Sequence, residues 1–215
     1  MFRRRRATRV PKEGRHRGLI RNLSMKVFHG TVYNKPIVRP LVDVNKDTND
    51  AGDGFYTCPD ESYAKIIGMD RANQPEYDYF YVNTYVFDDE GAESVKPKRF
   101  KGDEEWAQFV LECRTDRYDG EFYPIIYMPS ADAQLKEAID LYERMLESGD
   151  VDYSVLLRMM NPDRLSEQIV FKSQDCADEY LKLERFCEYD KHEGPGIEKL
   201  PDAVPEGVRK GPQRI

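Results

Sequence analysis

The sequence predicts an α+β fold with a mostly antiparallel sheet. Three observations carry this: segments of period-two alternation are interspersed with amphipathic helical stripes, strand spacing is irregular, and no Gly-rich strand-to-helix phosphate loop is present. In chain order, Lys26-Val27-Phe28-His29 reads as a short strand ended by Gly30. Pro59, at a first helical turn, opens a helix over Asp60 to Ile67. Tyr79 to Phe87 alternates two side-chain sets and is the clearest strand. Asp103 supplies a cap and Glu104 and Glu105 suit the positive end of a helix dipole, after which Trp106, Phe109, Val110 and Cys113 share a face. Phe122 to Met128 is a further strand. Ala131 to Leu146 carries an apolar stripe through Leu135, Ala138, Ile139, Tyr142, Met145 and Leu146. Gln168 to Lys172 is the last predicted strand, and Ser173 caps a helix running to Phe186, with Ala177, Tyr180, Leu181 and Glu184 aligned. The stretch from Gly194 to Ile215 has four Pro and four Gly in 22 residues and reads as a loose extension.

Charge divides the chain more sharply than its total suggests. The 215 residues hold 33 Lys+Arg and 40 Asp+Glu, a net charge of −7. Residues 1–26 contain ten basic residues and one acid (+9), leaving 23 basic and 39 acidic (−16) in residues 27–215. The expected organisation is a basic flexible arm (1–24), one folded domain (25–190) and a flexible tail (191–215). The arm is either a docking element able to touch phosphates or an over-extended start, since Met25 sits just before the first strand. An acidic body argues against a wide nucleic-acid groove, so nucleic acid would be reached only through the arm. No apolar run approaches the roughly 18 residues of a membrane span. Four scattered cysteines without a C-x-x-C pair argue against structural zinc and suggest reduced thiols in a cytoplasmic setting.

The most informative local sequence is Asp50-Ala51-Gly52-Asp53-Gly54-Phe55-Tyr56-Thr57, a glycine turn leading into an aromatic pair on a presumed strand. His29-Gly30-Thr31 is its companion. Of three histidines, His16 and His192 fall near the ends, so His29 is the one in the body. Asp43, Asp47, Asp50 and Asp53 lack the ligand order of a calcium loop, and no metal is expected. Cys58 has no second body histidine to activate it.

His29-Gly30, Gly52-Asp53-Gly54-Phe55-Tyr56 and Glu167-Gln168-Ile169-Val170-Phe171 resemble, in order, the motifs of the ADP-ribosyltransferase superfamily, in the branch with diphtheria toxin and the poly(ADP-ribose) polymerases. More closely, the chain is similar to a bacterial family of that fold through five ordered motifs. These are His29-Gly30-Thr31, Asp50 to Thr57, Val82 to Asp88, Glu105 to Val110 and Gln168 to Ser173. The resemblance implies split antiparallel sheets with flanking helices, NAD as substrate, and mono-ADP-ribosyl transfer to a protein acceptor. It implies that His29 hydrogen-bonds the adenosine-side ribose, that the Gly30 backbone holds the nicotinamide amide, and that the Tyr56 ring packs on nicotinamide. Thr31, Gly54, Phe55, Thr57, Ser62 and Tyr63 come with the same motifs as NAD-pocket candidates.

The third motif departs from the superfamily. By spacing, Glu167 falls on the catalytic glutamate, whereas the closer family keeps the glutamine at 168. Strand neighbours face opposite sides, so one of the two points at NAD. Family grounds favour Gln168, with Glu167 next. A carboxylate can stabilise the oxocarbenium-like transition state, whereas an amide can only orient, so a Gln168 site implies slow transfer or a binding module of the same fold. Lys35, Arg39 and Lys46, lying between the first two motifs, are positional candidates for the pyrophosphate.

Overall fold

The computed structural model describes residues 24–42, 49–131 and 135–192. The expectations for the arm before Ser24, for Asp43, Lys46 and Asp47, and for the tail beyond His192 lie outside these residues. The fold is α+β, built from two sheets with flanking helices. The first sheet has strand order β1-β3-β7, made of Met25–Thr31, Tyr79–Phe87 and Leu181–Asp190, all antiparallel. The second has order β2-β6-β5-β4, made of Phe55–Thr57, Glu167–Phe171, Ile125–Pro129 and the short Lys98–Arg99. Only the β4–β5 pairing is parallel.

Alternation of side chains stacks these sheets with helices in layers. Helix α1 (Glu61–Arg71) packs on the outer face of the first sheet, where Ala64 meets Phe28, Phe80 and Val82. The inner face, with Val27, Tyr85 and Phe87, meets Phe55, Ile169 and Phe171 of the second sheet. The opposite face of that sheet, through Val170, Ile126 and Met128, buries Trp106, Leu111, Tyr142 and Leu156. Those residues come from α3 (Glu104–Arg114), α4 (Leu135–Ser148) and α5 (Tyr153–Met160). The short α2 (Asp89–Ala92) and α6 (Gln174–Tyr180) join the core between the sheets through Ala92, Cys176, Ala177 and Tyr180.

Local chemistry explains most boundaries. Asp103 accepts from the Trp106 amide and caps α3, and the predicted buried face of Trp106, Phe109, Val110 and Cys113 is observed. Asp60 caps α1 through the Ser62 amide, so Pro59 lies before the cap and the helix runs on to Arg71 rather than stopping at Ile67. The helix predicted to reach Phe186 ends at Tyr180. From Leu181 the chain pairs antiparallel with β3, Leu181 opposite Phe87 and Tyr189 opposite Phe80. The helical spacing of Tyr180, Leu181 and Glu184 is overridden by pairing with a strand that would otherwise expose an edge. Among the described residues no helix is long and apolar enough to cross a membrane.

Candidate functional site

Where the two sheets part, they share one rung. Phe28 and Cys58 exchange both backbone hydrogen bonds, N to O at 2.8 and 2.9 Å, and join β1 to the residue after β2. Alternation along an antiparallel strand turns the N–H and C=O of Gly30 toward the same side as those of Phe28. There the partner strand has diverged, and the Gly30 carbonyl accepts instead from Arg71 Nη1 at 3.0 Å. On β6, Thr57 opposite Ile169 is the last pair with β2, so Gln168 follows at the point of separation. A cleft open to solvent, with about 120 Å³ of cavity volume, occupies this split.

His29 spans the gap. Its Nδ1 lies 2.7 Å from the Tyr56 carbonyl oxygen, and its ring stacks on Phe55 with centroids 4.6 Å apart. A carbonyl only accepts, so Nδ1 carries the proton. Burial, reinforced by the nearby Arg71 cation, lowers the His29 pKa to about 3, which keeps the ring neutral. Nε2 is therefore a bare acceptor, and it is buried without a protein partner. Tyr56 is anchored at its tip: its hydroxyl donates to Gly52 O at 2.6 Å and accepts from Ala51 N at 3.0 Å. Gly52 makes that turn possible with φ of 69°. Burial holds the Tyr56 phenol far above its ordinary pKa, so it stays neutral.

Beneath the cleft lies Asp50, almost fully buried. Its Oδ1 accepts from Arg114 Nε at 2.9 Å and Nη2 at 2.6 Å. Its Oδ2 accepts from the Ala131 amide and from Gln168 Nε2, each at 2.8 Å. Four N–H donors fill the roughly four lone-pair sites of a carboxylate. On the opposite wall, Tyr63 of α1 donates to Ser130 Oγ at 2.7 Å.

Six of the NAD-site candidates expected from the sequence line the cleft: His29, Gly30, Tyr56, Thr57, Tyr63 and Gln168. Glu167 does not. It is exposed at the start of β6, whereas Gln168 is buried, as period-two alternation requires of neighbours. Thr31 is buried on β1 with its hydroxyl accepting from the Tyr33 amide, Phe55 is core, and Ser62 is exposed on α1. Gly54 is needed for packing, since a Cβ there would come within 2.6 Å of Val170 Cγ1. Gly30 also has a packing role: a Cβ would collide with the Ala64 carbonyl oxygen, so the glycine lets α1 sit against β1. The positional cations are displaced: Lys35 is exposed, and Arg39 is exposed and paired with Asp178 at 2.6 Å. Among the described residues, the cations that line the cleft are Arg71 and Arg114, the last residues of α1 and α3. A basic residue in the final turn of a capped helix was the available signal. Burial pushes the Cys58 thiol up to about 12, which removes it as a nucleophile. Among the described residues no cluster of three or more His, Cys, Asp or Glu could hold a metal.

Comparison with curated proteins and with solved structures finds no match. Residues 25–183 match the family described as a protein of unknown function (DUF3990), a span that covers every residue lining the cleft. That match extends over most of the chain, and the protein therefore belongs to the DUF3990 family.

Proposed function

We propose that the cleft binds NAD and that the chain is a mono-ADP-ribosyltransferase acting on a protein acceptor. The observation that carries this reading is the convergence of His29, Tyr56 and Gln168, from three separate strands, on one cleft at the split between two sheets. The chemistry of the lining suits the ligand. His29 Nε2 is an unpartnered acceptor for a ribose hydroxyl. The Gly30 backbone, turned to the split, offers polar groups to a carboxamide, and the Tyr56 ring, held by its tip, offers a rigid face to nicotinamide. Arg71 and Arg114 place guanidinium groups on the lining, the donor type suited to a pyrophosphate. In the proposed reaction the nicotinamide–ribose bond breaks, nicotinamide leaves with the bonding pair, and an acceptor nucleophile bonds to the ribose carbon and releases its proton to solvent.

A second reading, a module that binds NAD with little or no turnover, is favoured by one specific observation. Among the described residues, the one acid lining the cleft is Asp50, and its acceptor sites are filled. Incubation with labelled NAD and lysate, beside calorimetry with NAD, separates the two. Label transfer abolished by His29→Ala and Tyr56→Ala supports the transferase, whereas binding without transfer supports the module. Wild-type protein that neither binds nor consumes NAD would falsify both.

A further inference from the structure

Asp50 restricts what residue 168 can be. Only the nitrogen of an amide can donate to a carboxylate, so the 2.8 Å contact from Gln168 Nε2 to Asp50 Oδ2 fixes the amide's orientation. Its oxygen, Oε1, is thereby turned away from Asp50, on a side chain that lines the cleft. Arg114 and the Ala131 amide occupy the other acceptor sites of Asp50 and leave it no freedom to rotate. A glutamate at 168 in the same conformation would set a second carboxylate oxygen where Nε2 stands. Two carboxylates that close cannot both ionise, and a single proton is held between them. The protonated acid would then reproduce the amide, with O–H toward Asp50 and C=O toward the cleft.

We propose that Asp50 is a positioning residue that keeps residue 168 a neutral donor–acceptor and presents its carbonyl oxygen to the cleft as a fixed acceptor for a ribose hydroxyl. The assignment of ribose rests on the NAD reading above, whereas the restriction on residue 168 does not. Among the described residues, the ionisable groups facing the pair are Arg114 and Cys113 from α3, His29 from β1, Tyr56 from β2 with Cys58 beyond it, and Tyr63 and Arg71 from α1. With His29 lowered to about 3, Cys58 and Cys113 raised to about 12 and Tyr56 raised further, these four hold one protonation state between pH 5 and 8.

The test uses the full chain carrying Gln168→Glu, with Gln168→Met and the double variant Asp50→Asn/Gln168→Glu as companions. In ligand-free thermal unfolding, the deficit of Gln168→Glu against wild type should be smallest near pH 4, below the unfolded glutamate pKa, and should widen to roughly 4 °C or more at pH 8. Gln168→Met should lose stability equally at both pH values. The double variant, lacking the second acid, should lose the pH-dependent part. An equal loss at pH 4 and 8 for Gln168→Glu, or no loss, overturns the restriction. Calorimetry with ADP-ribose then examines the cleft: Gln168→Glu should bind like wild type at pH 5.5 and about tenfold more weakly at pH 8. Unchanged affinity at pH 8 overturns the acceptor role. Failure of wild type to bind ADP-ribose also removes that role, together with the NAD reading, while the unfolding result still decides the Asp50–Gln168 pair.

Discussion

The two walls of the cleft are finished to different degrees. On the wall of Asp50, Arg114, Ala131 and Gln168, all acceptor positions of the buried carboxylate are filled by N–H donors. On the β1 wall, His29 Nε2 is buried without a protein partner, and Gly30, whose carbonyl accepts from Arg71, stands where the partner strand has moved away. A closed polar network fixes a scaffold, whereas, on the proposed function, the unpartnered acceptor on the rigid imidazole is a recognition element. Stability and ligand affinity should therefore separate between the walls.

Removing Asp50 is the severest way to break this contrast. Asp50→Ala leaves the Arg114 guanidinium and the Ala131 amide without their acceptor, at a cost of about 4 kcal/mol in denaturant unfolding. Gly30→Ala should follow at about 3 kcal/mol, the upper end for overpacking, because the obstacle is the Ala64 backbone carbonyl rather than a side chain that can turn. The displaced α1 should also lower ADP-ribose affinity, which calorimetry would register.

Acid probes the β1 wall. Burial depresses His29 below its unfolded value near 6.5, so the unfolded chain takes up the proton first. This contribution to stability is intact above about pH 6.5 and is lost as pH falls toward about 3. Between pH 7 and 5, wild type should lose roughly 2 kcal/mol more than His29→Asn in unfolding experiments. Equal slopes would mean that His29 is not held neutral. The smallest stability effects belong to His29→Asn and His29→Gln themselves, each under about 1 kcal/mol at pH 7. The shorter amide is suited to keep the Tyr56 contact and the longer one to keep an acceptor at the cleft. ADP-ribose affinity should fall about tenfold for the first and less for the second, and the reverse order would sink the assigned tautomer.

How much of this was legible in the sequence follows the range of the interactions. Strand β3 matches its predicted span from Tyr79 to Phe87, and α3 matches its cap and buried face, because both are written in local periodicity. Glu167 and Gln168 could not be separated until pairing with β5 and β2 fixed the phase of β6. Asp50 was visible within its motif, but its partner Arg114 lies 64 positions away and nothing local joins them. Lys35 and Arg39 failed as cleft cations for the converse reason, since nearness in sequence placed neither at the split. The helix expected to reach Phe186 failed because a register with β3, not spacing, decides the conformation after Tyr180.

Helix α1 acts as a measuring rod. It starts from a fixed cap at Asp60, one residue beyond the Pro59 that follows Cys58, and ends at Arg71, whose guanidinium reaches the Gly30 carbonyl. At 1.5 Å per residue the interval is about 16 Å, and each residue advances the side chain by about 100°. The cation that greets a ligand at the β1 wall is thus set by helix length and phase. Inserting or deleting a single residue between Gly68 and Arg71 would swing Arg71 off the cleft while leaving the other residues that line it unchanged in kind.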